Sequence, residues 1–245
     1  MTNKYYRPGE TRAEKVGDLF ATIAPRYDLI NDLQSFGLHR LWKRRLVRMA
    51  NPQAGERALD LCCGTGDVAF ALARRGVEVL GLDFSEPMLE LARRRGVRAG
   101  LEPGRGAGRG PQFLRGDAQQ VPLAGNSFDI VIVSYGLRNL ADWRRGLEEM
   151  LRVARTGGRL LVLDFGKPDL GAWRALYFGY LRACVPLFGR AFCGDSATYS
   201  YILESLLHYP AQHAVAAAMR EIGCRDVRLV SLFGGVMTIN YGVRP

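Results

Sequence analysis

Acidic side chains, glycines and a hydroxyl fall at places in this chain where strands read as ending. Within Arg57–Asp67 (RALDLCCGTGD), Ala58 to Leu61 read as the end of a buried strand. Cys62-Cys63-Gly64-Thr65-Gly66 reads as a turn and Val68 to Arg74 as a helix. Strand, glycine turn and helix form the arrangement by which doubly wound α/β domains hold nucleotide-like ligands. Gly64 and Gly66 let the backbone approach such a ligand closely, because neither carries a Cβ. A second strand, Val77 to Leu82, ends in Asp83, nineteen residues after Gly64. An acid at that place binds ribose hydroxyls in these folds.

The turn leaves two cofactors open. Gly64-Thr65-Gly66-Asp67-Val68-Ala69 fits the dinucleotide pattern G-x-G-x-x-G/A, so an NAD-dependent dehydrogenase is a rival. Asp60, four residues before Gly64, makes instead an acid-x-x-x-Gly-x-Gly pattern that resembles motif I of S-adenosylmethionine (SAM) methyltransferases. Asp67 opens the following helix with a negative charge. It would repel a pyrophosphate there, but not the sulfonium and amino acid of SAM.

The elements that must position these residues follow in order. Val16, Leu19, Phe20 and Ile23 give Thr11 to Ala24 a helical period. After Pro25, a second helical run extends to Met49. Its apolar side carries Leu38, Leu41, Trp42, Leu46 and Met49, and its basic side Arg40, Lys43, Arg44, Arg45 and Arg48. Such a helix is either a lid with a solvated basic face or a contact for an anionic membrane surface. Ser85 is the expected N-cap of a helix over Glu86 to Arg95. The segment 100–110 is rich in Gly and Arg and reads as a mobile loop. Pro111 to Leu114 is expected as the third strand, ending at Gly116-Asp117-Ala118. Ile130 to Ser134 is near-continuously apolar and β-branched, as a parallel strand buried on both faces should be. Tyr135-Gly136-Leu137-Arg138-Asn139-Leu140 follows at its carboxyl end, where open α/β sheets bind ligands. A helix over Trp143 to Ala154 and a fifth strand over Arg159 to Leu163, ending in Asp164, come next. Leu170 to Tyr209 is helical and aromatic, which suits a core or an apolar acceptor pocket. A helix over Ala211 to Ile222 and strands Val227 to Leu232 and Val236 to Tyr241 close the sheet.

Composition narrows the classes further. The 245 residues carry 34 Lys and Arg against 24 Asp and Glu, a formal charge of +10. That allows attraction to an anionic surface, yet neither an RNP-type aromatic motif nor an Asn-Pro-Pro-Tyr base motif is present, so no nucleic acid is expected. The five cysteines show neither a disulfide framework nor a zinc spacing, and suggest a reducing cytoplasm. Neither a membrane span nor a signal peptide is read from the sequence.

The order of motifs resembles the ubiquinone/menaquinone biosynthesis C-methyltransferases. Ile23-Ala24-Pro25-Arg26-Tyr27-Asp28, then Asn31, Ser35, Gly37 and His39-Arg40-Leu41-Trp42-Lys43, is similar to their N-terminal signature. Leu59 to Asp67 resembles their motif I, and Gly81-Leu82-Asp83-Phe84-Ser85 with Met88-Leu89 the next block. Asn126-Ser127-Phe128-Asp129, Tyr135-Gly136-Leu137-Arg138-Asn139 and Glu149-Met150-Leu151-Arg152-Val153 continue the match. The Gly-Leu-Arg-Asn block is the most specific, since a general small-molecule O-methyltransferase lacks it. The chain departs from the family in the 100–110 loop and in Met237 to Gly242, where a histidine is expected and none stands.

The resemblance implies a class I SAM-dependent methyltransferase, α/β and Rossmann-like: a doubly wound seven-stranded sheet with a helical cover. It implies one domain over 1–245, with a helical lid at about 11–50 and an acceptor-pocket insertion at about 168–210. SAM contacts fall to Thr65, Asp83, Asp117, Ala118 and Ser134, with Gly64 and Gly66 shaping the turn. The implied reaction is C-methylation of a prenylated quinol ring, demethylmenaquinol or a ubiquinone precursor. For it, Asp67 and Asn139 are expected to orient a water that takes the phenolic proton, and Arg138 to steady the anion. His39 and Tyr201 are alternative bases, and an Asp67–Arg138 ion pair tying two loops is the purely structural alternative. The expected partners are the quinol and a reversible contact with the membrane surface from the cytoplasmic side, with a homodimer left open.

Overall fold

The computed structural model describes residues 31–32, 35–101, 103–104, 109–193 and 197–245, with the side chains of all but 184–193 and 197–202. The expected helix over Thr11 to Ala24, the side chains of Tyr199 and Tyr201 and the centre of the 100–110 loop lie outside the described residues. The elements run α1 (Leu38–Ala50), β1 (Arg57–Leu61), α2 (Asp67–Ala73), β2 (Glu78–Asp83), α3 (Glu86–Arg98) and β3 (Gln112–Arg115). Then come β4 (Phe128–Ser134), a 3₁₀ turn (Leu137–Asn139), α4 (Trp143–Val153), β5 (Ala154–Phe165), α5 (Gly171–Cys193), α6 (Ala197–His208), α7 (Ala211–Glu221), β6 (Arg225–Leu232) and β7 (Met237–Val243).

The seven strands make one sheet in the order β3-β2-β1-β4-β5-β7-β6. β1 to β5 pair in parallel, and β7 runs antiparallel between β5 and β6. The strand order reverses beside β1, so the crevice for a ligand opens at the carboxyl ends of β1 and β4. β4 is buried on both faces as its Ile-Val-Ile-Val run requires. Alternate residues serve opposite faces. Leu59, Leu61, Val131 and Val133 pack with α4, α7 and Leu206. Ala58, Ile130, Ile132, Leu161 and Leu163 pack with Leu46, Val47 and Ala50 of α1 and with Val68, Ala69 and Leu72 of α2.

Several local expectations are corrected. The helical run expected to reach Met49 is interrupted: Phe36 and Gly37 turn with φ of 50° and 72°, and α1 starts at Leu38. On α1 the basic and apolar faces are less pure than the spacing suggests. Leu41 is exposed, and Lys43 turns inward with a side chain only 14% exposed. Ser85 does stand at the N-cap of α3, but its hydroxyl makes no capping bond; its backbone N–H instead binds the Asp83 carboxylate. Asp142, which the sequence did not single out, caps α4 by accepting from the N–H groups of Arg144 and Arg145.

The turn after β4 must come close to the glycine turn after β1. Gly136 has an ordinary negative φ of −100°, so its need for glycine is steric. A Cβ there would collide with Cys62 Cβ and lie 2.8 Å from Cys62 Sγ. Gly136→Ala is therefore expected to lower stability by about 1–3 kcal/mol, the range for overpacking a tight core. Urea unfolding checks it: the midpoint should fall at unchanged slope.

Candidate active site

A crevice at the carboxyl ends of β1, β2 and β4 is lined by Gly64, Asp83, Asp117, Ala118, Ser134 and Asn139. Asp83 Oδ2 accepts from the Gly64 N–H at 2.8 Å and Oδ1 from the Ser85 N–H at 2.9 Å. The carboxylate thus ties β2 to the glycine turn, and each oxygen keeps a lone pair for a further donor. Burial raises its pKa, and bonds from the backbone N–H groups of Ser85, Gly64 and Phe84 oppose that rise. Asp117 closes its own loop by accepting from the Gln119 N–H at 2.8 Å. Ser134 Oγ is buried and has no partner among the described residues. Thr65 lies in an adjoining recess with Lys43, Asp60 and Asp67. Gly66 lines neither space; with φ 85° it shapes the entry to α2, and a Cβ there would stand 2.9 Å from the Phe70 ring.

The recess is a meeting of carboxylates with one lysine. Asp60 accepts from the Ala69 N–H at 3.0 Å through Oδ2, while Oδ1 is buried without a partner among the described residues. Burial drives its pKa up to about 7, against the pull of Lys43. Burial would raise Asp67 too. There, however, Lys43 Nζ at 2.8 Å and Arg95 Nη1 at 3.1 Å outweigh it and hold the carboxyl below its usual range. Arg95 also donates to the Thr65 carbonyl at 3.1 Å. Lys43 was expected on the outward basic face of α1, toward solvent or a membrane surface, and no spacing rule on its own helix would have moved it inward. Cys62, shared by crevice and recess, is a thiol pushed well above its ordinary pKa by burial and by the carboxylates of Asp83 and Asp60.

The expected convergence of Asp67, Arg138 and Asn139 is only partly formed, and the Asp67–Arg138 ion pair is corrected outright. Arg138 is buried and pairs with Asp164: Nη1 donates to Oδ1 at 2.8 Å and the backbone N–H to Oδ2 at 3.0 Å. Nη1 also donates to the Tyr135 carbonyl at 2.6 Å, and the guanidinium stacks 4.6 Å from the Phe165 ring centroid. Arg138 lines none of the three spaces, whereas Asn139 lines the crevice and donates to the same Tyr135 carbonyl at 3.1 Å. Asp67 lies in the recess, which shares Cys62, Gly64, Ser134 and Tyr135 with the crevice. Tyr135 holds a left-handed backbone, φ 63°, at the end of β4.

Tyr135 also borders a third space, an apolar cavity of about 330 Å³. Its walls include His39 and Trp42 from α1, Phe165 from the end of β5, and Trp173 and Tyr177 from α5. Tyr135 and Phe165 pack edge to face with centroids 5.8 Å apart. The aromatic character of the 170–209 stretch therefore reaches the site through α5.

A sheet of this order, with a glycine turn and acids closing the ends of β1 and β2, defines a class I SAM-dependent methyltransferase. The space is suited to that cofactor: Gly64 leaves open room where a Cβ would project, and Asp60 Oδ1 and Ser134 Oγ are buried acceptors lacking partners among the described residues. The chain belongs to the ubiE/COQ5 methyltransferase family, which it matches over residues 9–244. It is 42% identical to a demethylmenaquinone methyltransferase of Thermus thermophilus over 93% of this chain and 100% of that one. It is 35% identical to a ubiquinone/menaquinone biosynthesis C-methyltransferase of Azotobacter vinelandii over 97% and 93% of the two chains. The solved structure of a SAM-dependent methyltransferase from Aquifex aeolicus shares its fold, with a TM-score of 0.61 and 18% identity over 89% of this chain and 98% of that one.

The burial of Asp60 has a pH signature. The native site binds the Asp60 proton more tightly than the unfolded chain does, where an Asp titrates near about 4. The contribution of this group to stability is thus full below that value and is lost as pH rises to about 7. Asp60→Asn should remove this part of the decline. Urea midpoints of the two proteins, compared from about pH 5 to about pH 8, check it: the variant should gain on the parent as pH rises.

Proposed function

We propose that this enzyme methylates a ring carbon of a prenylated quinol, with demethylmenaquinol as the first candidate. The apolar cavity carries the reading. It adjoins the cofactor crevice across Tyr135 and has the aromatic walls and volume that a flat bicyclic ring needs. The names of the Thermus and Azotobacter relatives agree with such a substrate.

SAM, when bound, supplies an electrophilic methyl group. Asp83 and Ser134 are positioned to receive its ribose and polar groups, and Asp117 with Ala118 its base. Asp60 and the recess suit its cationic end. A quinol carbon attacks only once a phenolic proton leaves, because the anion then moves electron density into the ring. Asp67, held ionised by Lys43 and Arg95, is a weak base; its role is to orient a water and offer the departing proton a compensating charge. Asn139, on the crevice side of Tyr135, orients the same water. Arg138 is a positioning residue that holds Tyr135, which borders both spaces, and Phe165, which lines the cavity.

Purified enzyme with SAM and a short-chain demethylmenaquinol should give a carbon-methylated product, identified by mass spectrometry and proton NMR. Asn139→Ala should lower the single-turnover rate on the order of 10²-fold, within the range for acid–base groups, with SAM affinity nearly intact. A wild-type rate in the variant would remove Asn139 from the chemistry. Arg138→Ala is the wrong probe, because it would strand the buried Asp164 charge and unfold the protein by about 3–5 kcal/mol.

Such a substrate dissolves in lipid, and among the described residues no helix is long and apolar enough to cross a membrane. Phe36, Leu176 and Phe233 line the cavity and are 77%, 63% and 58% exposed. Arg40, Arg44, Arg45 and Arg48 are exposed on the adjacent α1. We read α1 as part of a lid, and this rim as a reversible contact with anionic bilayers. Co-sedimentation with phosphatidylglycerol vesicles should be strong at low salt and fall as salt screens the arginines; pelleting that ignores salt, or none at all, would discard the contact.

A further inference from the structure

The polar side of the aromatic cavity holds a hydrogen-bond pattern that fixes a histidine tautomer. Ser35 Oγ lies 2.6 Å from the Asn31 carbonyl oxygen, a distance that requires the single hydroxyl proton between them. Ser35 Oγ also lies 2.9 Å from His39 Nδ1 and accepts the His39 backbone N–H at 3.2 Å. With its proton committed to Asn31, the hydroxyl can only accept from the ring, so Nδ1 carries hydrogen. Asp32 Oδ1, 3.6 Å from Nδ1, favours the same assignment. A neutral ring protonated at Nδ1 presents a bare lone pair at Nε2. The ring is kept neutral because burial, helped by the Lys43 charge, lowers its pKa. His39 is 4% exposed and lines the cavity, and Nε2 has no partner among the described residues.

We propose that His39 makes the acceptor site selective for a hydroquinone over the corresponding quinone, by accepting a hydrogen bond from a ring hydroxyl at Nε2. This rests on the quinol reading of the cavity. The two redox forms have nearly the same shape and apolar surface, so aromatic walls bind both. They differ at oxygen: the hydroquinone donates, whereas the quinone carbonyl only accepts. A carbonyl facing Nε2 sets lone pair against lone pair and leaves two buried acceptors unsatisfied, which sites built to accept a donor penalise strongly. Tyr177 Oη, also in this wall and without a partner among the described residues, can donate or accept and so serves either form. The discrimination matters because only the reduced ring has the electron density to attack a methyl group. A bound quinone would occupy the site unproductively.

The test measures the affinity of 2-prenyl-1,4-naphthoquinol, kept reduced with dithionite, and of its oxidised quinone, by tryptophan quenching in the presence of S-adenosylhomocysteine. The wild type should prefer the quinol by about ten- to a hundredfold. His39→Leu should bring the two affinities together, weakening the quinol and relieving the quinone of the opposed lone pair. Ser35→Ala, which releases the tautomer without removing the ring, should also shrink the preference and guards against a folding defect in the first variant. A wild type that methylates the quinol yet binds both forms equally, or variants that weaken both forms alike, would overturn the assignment to His39. A wild type that neither binds nor methylates the quinol would instead overturn the reading of the cavity itself.

Discussion

The site depends on one buried ion pair. Asp164, one residue before the end of β5, is 2% exposed; it receives both the backbone and the guanidinium of Arg138, which follows β4. The Phe165 N–H adds a third donor at 2.8 Å. Removing either partner would leave a naked charge inside the protein, so the pair is hard to change piecemeal. What it fixes is the partition between two binding spaces. Arg138 holds the Tyr135 carbonyl and lies over the Phe165 ring; Tyr135 borders both the cofactor crevice and the acceptor cavity, and Phe165 lines the cavity. The left-handed backbone of Tyr135 is a conformation that side chains rarely adopt, and these bonds help to hold it there.

A second theme is the sign of the charge. The chain as a whole is strongly basic, yet the ends of β1, β2 and β5 carry Asp60, Asp83 and Asp164, and Asp67 opens α2. An acidic floor suits a cofactor with a sulfonium and an ammonium group. Lys43 and Arg95 hold Asp67 ionised, whereas burial keeps Asp60 protonated until about neutrality against the pull of Lys43. Because Lys43 comes from α1 and Asp67 from α2, this ion pair also fastens a wall of the acceptor cavity to the cofactor turn.

Much of this was legible in the sequence, where local pattern and global packing agree. The Ile-Val-Ile-Val run could only be a central strand, and the glycine turn placed Gly64, Asp83 and Ser134 around one crevice. Partners distant along the chain were not legible. Asp164 read as a strand end, and nothing in its neighbours announced Arg138, 26 residues away, as its partner. Lys43 shares its helix period with solvent-facing arginines; it turns inward because α2 brings Asp67 beneath it, a tertiary effect that periodicity cannot carry. Ser85 stood at the right position for a cap, but Asp83 had already bound the chain there. His39 was in view as a base, while the bond pattern that sets its tautomer needed coordinates.

The position of Cys62 bears on the enzyme's own survival. On the quinol reading, its substrate and product oxidise readily to quinones, which are electrophiles that add to thiolates. Cys62 lines the cofactor crevice and the recess, which meet the acceptor cavity at Tyr135. Burial first, and then the carboxylates of Asp83 and Asp60, push its pKa well above the ordinary value, so it stays a thiol and a poor nucleophile. Burial and the acidic floor together thus make this sulfur a poor target for arylation by a quinone, where a basic environment would have left it reactive.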